Sequence, residues 1–371
     1  MWAEFANDLL GRVVGRRYKL LRVIGEGGMG LVFEAEQVDL ARRVAVKVLL
    51  DPDPKSLDRF MIEARVTANL GCVNVVTVLD FQRGEGDEPP ILVMELLEGE
   101  TLMHLLEREP RLPVARASQI AAQMLVGLSA AHRAGILHRD VKPSNVFLVP
   151  SPFGDVVKLV DFGIAKLLVG EGGVKTTTGM FPGTPAYVAP EQLRLEPLDA
   201  RTDVHGVGVV LYEMLAGERP YPQAIVAELS VAILREPPPP LRNHRPDVSP
   251  ELAAVVMRAL CKKRDERWAS ADEMISALRP WLSAEPAVAV NLPSPAKQTA
   301  PMIPRGSRPS FPDAPARGAT IPMLRRPARE LGTSPNSRKA RDLSHLTITI
   351  AVISAVFAIV GIILIALAFR R

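Results

Sequence analysis

Cysteine is nearly absent: Cys72 and Cys261 are the only two in 371 residues. They form no CxxC and have no neighbouring histidine pair, which excludes a disulfide-stapled scaffold and a cysteine-based zinc site. Two idle thiols in a reducing compartment are the expected reading. The chain also lacks a charged-then-apolar leader with a small-residue cleavage site, since residues 1–17 read MWAEFANDLLGRVVGRR, and no secretory signal is expected. No GxxxxGK[ST] occurs, so a Walker-type phosphate loop is excluded. Finally, the pI near 9.1 is not matched by a basic folded part. Residues 283–345 hold ten Lys/Arg against four Asp/Glu and two arginines end the chain, which leaves −4 for residues 1–282 out of a total of +4. Nucleic-acid binding by a basic domain face is therefore not expected.

What is present falls into three regimes. Residues 18–282 alternate strand-like and helix-like patterns, with enough length to bury a real core. Residues 283–345 carry eleven prolines among Ser, Ala and Arg without apolar periodicity, which describes an extended basic linker. Residues 346–369, LTITIAVISAVFAIVGIILIALAF, contain no charge. At about 1.5 Å per residue they make about 36 Å of helix, enough to cross a hydrocarbon core of about 30 Å. A buried globular helix fits poorly, because the run is uniformly apolar and follows the linker. Arg325, Arg326, Arg329, Arg338, Lys339 and Arg341 precede the span and only Arg370 and Arg371 follow it. The positive-inside bias then predicts a single-pass protein of the cell (plasma or inner) membrane with its folded domain in the cytoplasm. With two residues beyond the span, a tail-anchored arrangement is expected. The basic cluster Arg338–Arg341 is placed to touch anionic lipid.

Within residues 18–282, YKLLRVIG, LVFEAEQV, RVAVKVLL, VVTVLDFQ and ILVMELL read as short strands. Leu57, Phe60, Met61, Ala64 and Ala68 recur at helical spacing. From about residue 101 the pattern is mostly helical. The expected fold is α+β: a small β-rich lobe over residues 18–97 and a larger helical lobe over 98–282.

Gly25-Glu26-Gly27-Gly28-Met29-Gly30 matches GxGxxG. A dinucleotide-binding fold would need a helix directly after these glycines. Instead Leu31-Val32-Phe33-Glu34-Ala35 follows, alternating and β-branched, which places the glycines in a hairpin. Such a hairpin lets backbone N–H groups approach phosphate oxygens with no Cβ in the way. Val44-Ala45-Val46-Lys47 then sets one lysine among apolar strand residues. By itself such a lysine is usually solvated. Glu63, one step from the apolar stripe of the next helix, offers it a carboxylate partner.

The stretch His138-Arg139-Asp140-Val141-Lys142-Pro143-Ser144-Asn145 is followed sixteen residues later by Asp161-Phe162-Gly163. HRD with its downstream Asn is the catalytic-loop pattern of protein kinases and DFG their metal-binding one. A lone DFG would be weak; the ordered pair is specific. Gly183-Thr184-Pro185-Ala186-Tyr187-Val188-Ala189-Pro190-Glu191-Gln192 is similar to the same family's GTPxYMAPEQ. Over residues 18–282 the chain thus resembles a eukaryotic-type (Hanks-type) Ser/Thr protein kinase of the kind found in bacteria.

That resemblance implies the following roles. Asp140 would accept or steer the proton of the substrate hydroxyl, and Lys142, which marks the Ser/Thr branch, would contact the γ-phosphate. Lys47, held by Glu63, would bridge the α- and β-phosphates of ATP. Asn145 and Asp161 would hold Mg2+, with Mn2+ as the alternative metal. Met94 would be the gatekeeper, Glu95 and Leu97 would meet adenine through backbone groups, and Val32 and Ala45 belong to the same nucleotide site. Glu191 would pair with Arg267, and Asp203 would brace the catalytic loop. Arg139 would neutralise a phosphate on the activation segment, for which Thr176, Thr177, Thr178 and Thr184 are the candidates. Trans-autophosphorylation through a homodimer is the implied route, and Ser/Thr-bearing proteins are the implied substrates. Departures are few: Cys72-Val73-Asn74-Val75-Val76 stands where relatives commonly read HPNIV, Phe33 where Tyr is frequent, and His205 where an aromatic residue is common. His205 is expected to be packed or hydrogen-bonded. The alternatives are a membrane-tethered pseudokinase scaffold, disfavoured because Lys47, Glu63, Asp140, Asn145 and Asp161 are all present, and a small-molecule kinase, disfavoured by the GTPxY–APE region.

Overall fold

A computed structural model describes residues 2–27, 30–50, 70–84, 88–162 and 185–282, and within 57–68 the positions 57, 60, 61, 64, 67 and 68. The chain divides into two units, Met1–Ser294 and Pro295–Arg371. The second unit, and with it the linker and the 346–369 stretch, lies outside the described residues. Among the described residues no helix is long and apolar enough to cross a membrane.

The small lobe is a six-stranded antiparallel sheet in the order β1-β2-β3-β4-β6-β5. Its strands are β1 (Val13–Val14), β2 (Tyr18–Gly27), β3 (Gly30–Gln37), β4 (Arg42–Leu49), β5 (Val78–Gln82) and β6 (Ile91–Glu95). Alternation decides the faces: Leu31, Phe33 and Ala35 of β3 are buried against Val44, Val46 and Val48 of β4. Phe60 and Ala64 form a second apolar patch with Leu49 and Leu92 on the opposite face. The lobe extends upstream of residue 18. Helix α1 (Trp2–Leu9) and β1 contribute Ala6, Leu9 and Val14 to the same core. The expected strand VVTVLDFQ begins only at Val78, because the backbone of 74–77 is engaged elsewhere: Val75 bridges Leu159 in parallel and Glu95 N–H donates to Thr77 O at 3.0 Å.

The large lobe opens with a small sheet of β7 (Glu100–Thr101), β8 (Val146–Val149) and β9 (Val156–Leu159), and is otherwise helical. Helix α2 (Leu102–Arg108) is capped by the Thr101 side chain, which accepts from His104 N–H. Helices α3 (Val114–Arg133), α4 (Pro190–Leu193) and α5 (Ala200–Ala216) follow, then α6 (Val226–Arg235), α7 (Leu241–His244), α8 (Pro250–Ala259) and α9 (Ala271–Leu278). The central α5 is apolar on nearly every side and buried along most of its length, so it serves as the lobe's core. Asp199 caps its N-terminus and Gly217 (φ +83°) ends it in the left-handed conformation. His205 on α5 is buried, and its imidazole is driven far toward the neutral form by burial and by the nearby Arg267 and Lys262 charges. Its Nδ1 has no hydrogen-bond partner among the described residues. Cys72 and Cys261 are free, half-buried thiols.

Candidate active site

The glycine segment lies on two antiparallel strands: Gly27 at the end of β2 pairs with Gly30 at the start of β3. Gly25, Glu26, Gly27 and Gly30 lie on these strands, and Gly28 and Met29 lie outside the described residues. Glycine is required at position 30, where a Cβ would fall 1.9 Å from Val48 O. One strand over, Lys47 is buried in β4, opposite Val32 in register and two residues beyond Ala45. Its ammonium meets Asp161 Oδ1 at 2.8 Å. Glu63, expected beside it, lies outside the described residues.

The loop from His138 to Asn145 is shaped from beneath by α5. Asp203, in the first turn of that helix and 1 % exposed, accepts from Arg139 N–H on Oδ1 at 2.7 Å and from His138 N–H on Oδ2 at 2.8 Å. His132, near the end of α3, adds its Nε2 to Oδ2 at 2.7 Å. These bonds hold Arg139 at φ +63°, a left-handed backbone that costs a non-glycine residue of order 1–3 kcal/mol. Gln192 Nε2 secures the same residue from the other side by donating to Arg139 O at 2.9 Å. Val141 descends onto Gly206 of α5, where a Cβ would come within 2.8 Å of the Val141 side chain.

On this loop Lys142 Nζ lies 2.9 Å from Asp140 Oδ2. Asn145 Nδ2 donates to Asp140 O at 2.8 Å and to Oδ2 at 3.2 Å. Asn145 is itself buried, at 6 % exposure, so both bonds are shielded from water. Val160 N–H donates to Asn145 O at 3.0 Å, which ties the end of β9 to the loop one residue before Asp161. Asp161 itself adopts φ +52° and its side chain is 53 % exposed. The Lys47 charge beside it holds its carboxyl below the usual carboxylate range. His138 is fully buried, contacts Val160 O through Nε2 at 3.2 Å and packs on Phe162 with ring centroids 4.7 Å apart. Burial pushes its pKa down, so it is a neutral structural ring at pH 7.

Arg139 makes no ion pair among the described residues: its buried Nε has no hydrogen-bond partner there, and desolvation, partly offset by the Asp203 charge, lowers its pKa. The hinge positions Met94 and Glu95 end β6, and Leu97 follows. Thr176, Thr177, Thr178 and Thr184 lie outside the described residues. Below the site, Glu191 and Arg267 form a buried fork-to-fork pair with both N–O distances at 2.8 Å. Burial alone would raise the Glu191 pKa, but the bonds and charge of Arg267 hold it below the usual range.

The protein kinase domain model matches residues 18–281. The chain belongs to the protein kinase family. It is 38 % identical over 283 residues to serine/threonine-protein kinase pkn3 of Myxococcus xanthus, covering 74 % of this chain and 51 % of that protein. It is 41 % identical over 266 residues to PknB of Mycolicibacterium smegmatis, covering 70 % and 42 % respectively. For PknA of Mycobacterium tuberculosis the figures are 39 % over 276 residues, 72 % and 62 %. The chain thus spans roughly half the length of the curated relatives it matches. Among solved structures, the Mycobacterium tuberculosis PknI kinase domain superposes with a TM-score of 0.56 at 28 % identity, over 73 % of this chain and 98 % of that one.

Three residues of this kinase site carry no sequence signal that singled them out. His132 reads as an ordinary polar residue at a helix end. Gln192 ends the stretch similar to GTPxYMAPEQ, where its residue type suggests no role of its own. Lys158 stands in a stretch that the mostly helical reading of the large lobe passes over. Their roles come from partners 71, 53 and 63 residues away.

Proposed function

We propose that this protein is an ATP- and Mg2+-dependent serine/threonine protein kinase, tethered to a membrane by residues 346–369 with its catalytic domain in the cytoplasm. The observation that carries the reading is the assembly of Asp140, Lys142 and Asn145 on one braced loop, with Asp161 ion-paired to Lys47. These donors suit a magnesium–nucleotide. A hard cation takes oxygen ligands, and Mg2+ is usually bound by one or two carboxylates together with substrate phosphates. Asp161 supplies a carboxylate held ionised by Lys47 and Asn145 would supply its amide oxygen, while no cluster of three or more His, Cys, Asp or Glu suited to a dedicated metal cage occurs among the described residues.

Bound ATP supplies the transferable γ-phosphoryl group, and its metal supplies charge neutralisation. The chain's own residues do the positioning. Asp140 orients the acceptor hydroxyl and takes its proton, so the oxygen faces the phosphorus as a nucleophile. Lys142 and Lys47 place positive charge where phosphate charge develops, at no reorganisation cost because their carboxylate partners already hold them. The glycine hairpin contributes backbone N–H groups, Val32 and Ala45 flank the base, and the hinge past Met94 meets adenine at Glu95 and Leu97. Glu95 N–H is already donated to Thr77 O, so its contribution there is the carbonyl.

Arg139 supports regulation by phosphate: a phosphothreonine at Thr176, Thr177, Thr178 or Thr184 would give its half-buried guanidinium an anion. Autophosphorylation in trans within a homodimer is the corresponding route. The membrane reading rests on the uncharged length of 346–369 and the arginines that precede it. The test is transfer of γ-labelled phosphate from MgATP to the chain itself and to a generic Ser/Thr protein acceptor, compared with Asp140→Asn. Wild-type incorporation with a loss of at least about 100-fold in the variant is expected; equal incorporation overturns the reading.

A further inference from the structure

The hinge residue Glu95 is held from outside the nucleotide site. Its main-chain N–H donates to Thr77 O at 3.0 Å, and its Oε1 accepts from Thr77 N–H at 2.7 Å, closing a ring between the two residues. The same Oε1 accepts from Lys158 Nζ at 2.7 Å. Both side chains are largely out of water, at 12 % exposure for Lys158 and 25 % for Glu95. This is a specific partially desolvated pair rather than two solvated charges.

Lys158 sits on β9, and β9 is already laced to the segment leading to Thr77. Asn74 Nδ2 donates to Val157 O at 2.8 Å, Leu159 N–H to Asn74 O at 2.9 Å, and Val76 N–H to Leu159 O at 3.0 Å. The Lys158–Glu95 bond carries that lacing on to the hinge. Three residues downstream of Lys158 lies Asp161, and the intervening Val160 N–H is bound to Asn145 O. One strand therefore carries both the anchor of the hinge and the acidic residue of the phosphate end.

We propose that Lys158 is a positioning residue for the nucleotide: through Glu95 it fixes the hinge backbone that receives adenine and sets its distance from the Asp161 end of the site. Lys158 reaches neither the phosphates nor the acceptor hydroxyl. Its loss leaves Glu95 with Thr77 N–H as its remaining described donor, and the carboxylate turns toward water and takes the hinge with it. The consequence falls on nucleotide affinity and not on the transfer step.

This inference rests on the ATP-dependent kinase reading, and two measurements on the purified full chain separate the two ideas. The first is steady-state phosphotransfer with varied MgATP. Lys158→Met is expected to raise KM for ATP about tenfold, as befits loss of a bond to a charged group, with kcat held within about twofold. Lys158→Arg restores most of the affinity. Glu95→Gln shows the same KM rise, and Glu95→Gln/Lys158→Met is no worse than either single variant, because both act through one bond. The second is equilibrium titration with a fluorescent adenine nucleotide, read alongside thermal unfolding. A wild-type chain that binds nucleotide but transfers no phosphate sinks the kinase reading, and the titration still decides the role of Lys158. Equal nucleotide affinity in wild type, Lys158→Met and Glu95→Gln overturns the proposal, as does a fall in kcat at unchanged KM. If Lys158→Met fails to fold, Glu95→Gln and Lys158→Arg give the answer.

Discussion

Arg267→Met should be among the most damaging single substitutions in the large lobe. Arg267 has a fully buried side chain and uses all five of its N–H groups. Nε donates to Cys261 O; Nη1 donates to Glu191 Oε1 and Arg201 O; Nη2 donates to Glu191 Oε2 and Lys262 O. Methionine fills comparable volume but leaves the Glu191 carboxylate, 1 % exposed, with the Thr202 hydroxyl as its remaining side-chain donor. Removing one partner of a buried ion pair costs about 3–5 kcal/mol. For a domain of this size each kcal/mol lowers Tm by about 2–4 °C, so a drop of about 6–20 °C is expected. The damage also reaches the catalytic loop, since Gln192, beside Glu191, holds Arg139 O. The assay is thermal unfolding by near-UV circular dichroism on the wild type, Arg267→Met, Glu191→Met and the double variant. The double variant should melt above at least one single variant, because it leaves no lone buried charge. A Tm within about 2 °C of wild type for Arg267→Met, with strictly additive singles, would refute the reasoning.

The same pair sets an acid limit. Glu191 has a folded pKa below its unfolded one, so its contribution is fully present above the unfolded value of about 4.3 and is lost as pH falls through the folded pKa. Urea unfolding midpoints measured from pH 7 downward should fall in that window for wild type and fall less steeply for Glu191→Gln. At the other lobe, Gly30→Ala puts a methyl 1.9 Å from Val48 O and must displace β3 from β4. A loss of about 1–3 kcal/mol in stability and weaker adenine-nucleotide binding are expected from denaturant unfolding and nucleotide titration.

Much of the site is legible along the chain because its chemistry needs short spacings. A loop that gathers Asp140, Lys142 and Asn145 must place them within a few residues of one another. A glycine hairpin must leave one strand and enter the next, and the alternation after Gly30 excludes a helix there. The buried strands are equally legible, since β4 reads as an apolar run that can be satisfied only in a covered sheet. Less legible are pairings across large separations. The 75–77 segment reads as strand by composition, yet its backbone groups bond to β9 and to Glu95 as well as leading into β5. The strands β8 and β9 are short enough that a mostly helical reading of the large lobe passes over them.

By itself the sequence determined the family and the two-lobed α+β plan and named the candidate site residues, since local pattern and motif spacing are properties of consecutive residues. Only the tertiary structure decided which charges meet. It paired Lys47 with Asp161, set His132 beside Asp203 under the catalytic loop, and joined Lys158 to Glu95. The physical reason is that a buried charge selects its partner by proximity and by the donors left unspent nearby, and neither can be read until the lobes have packed.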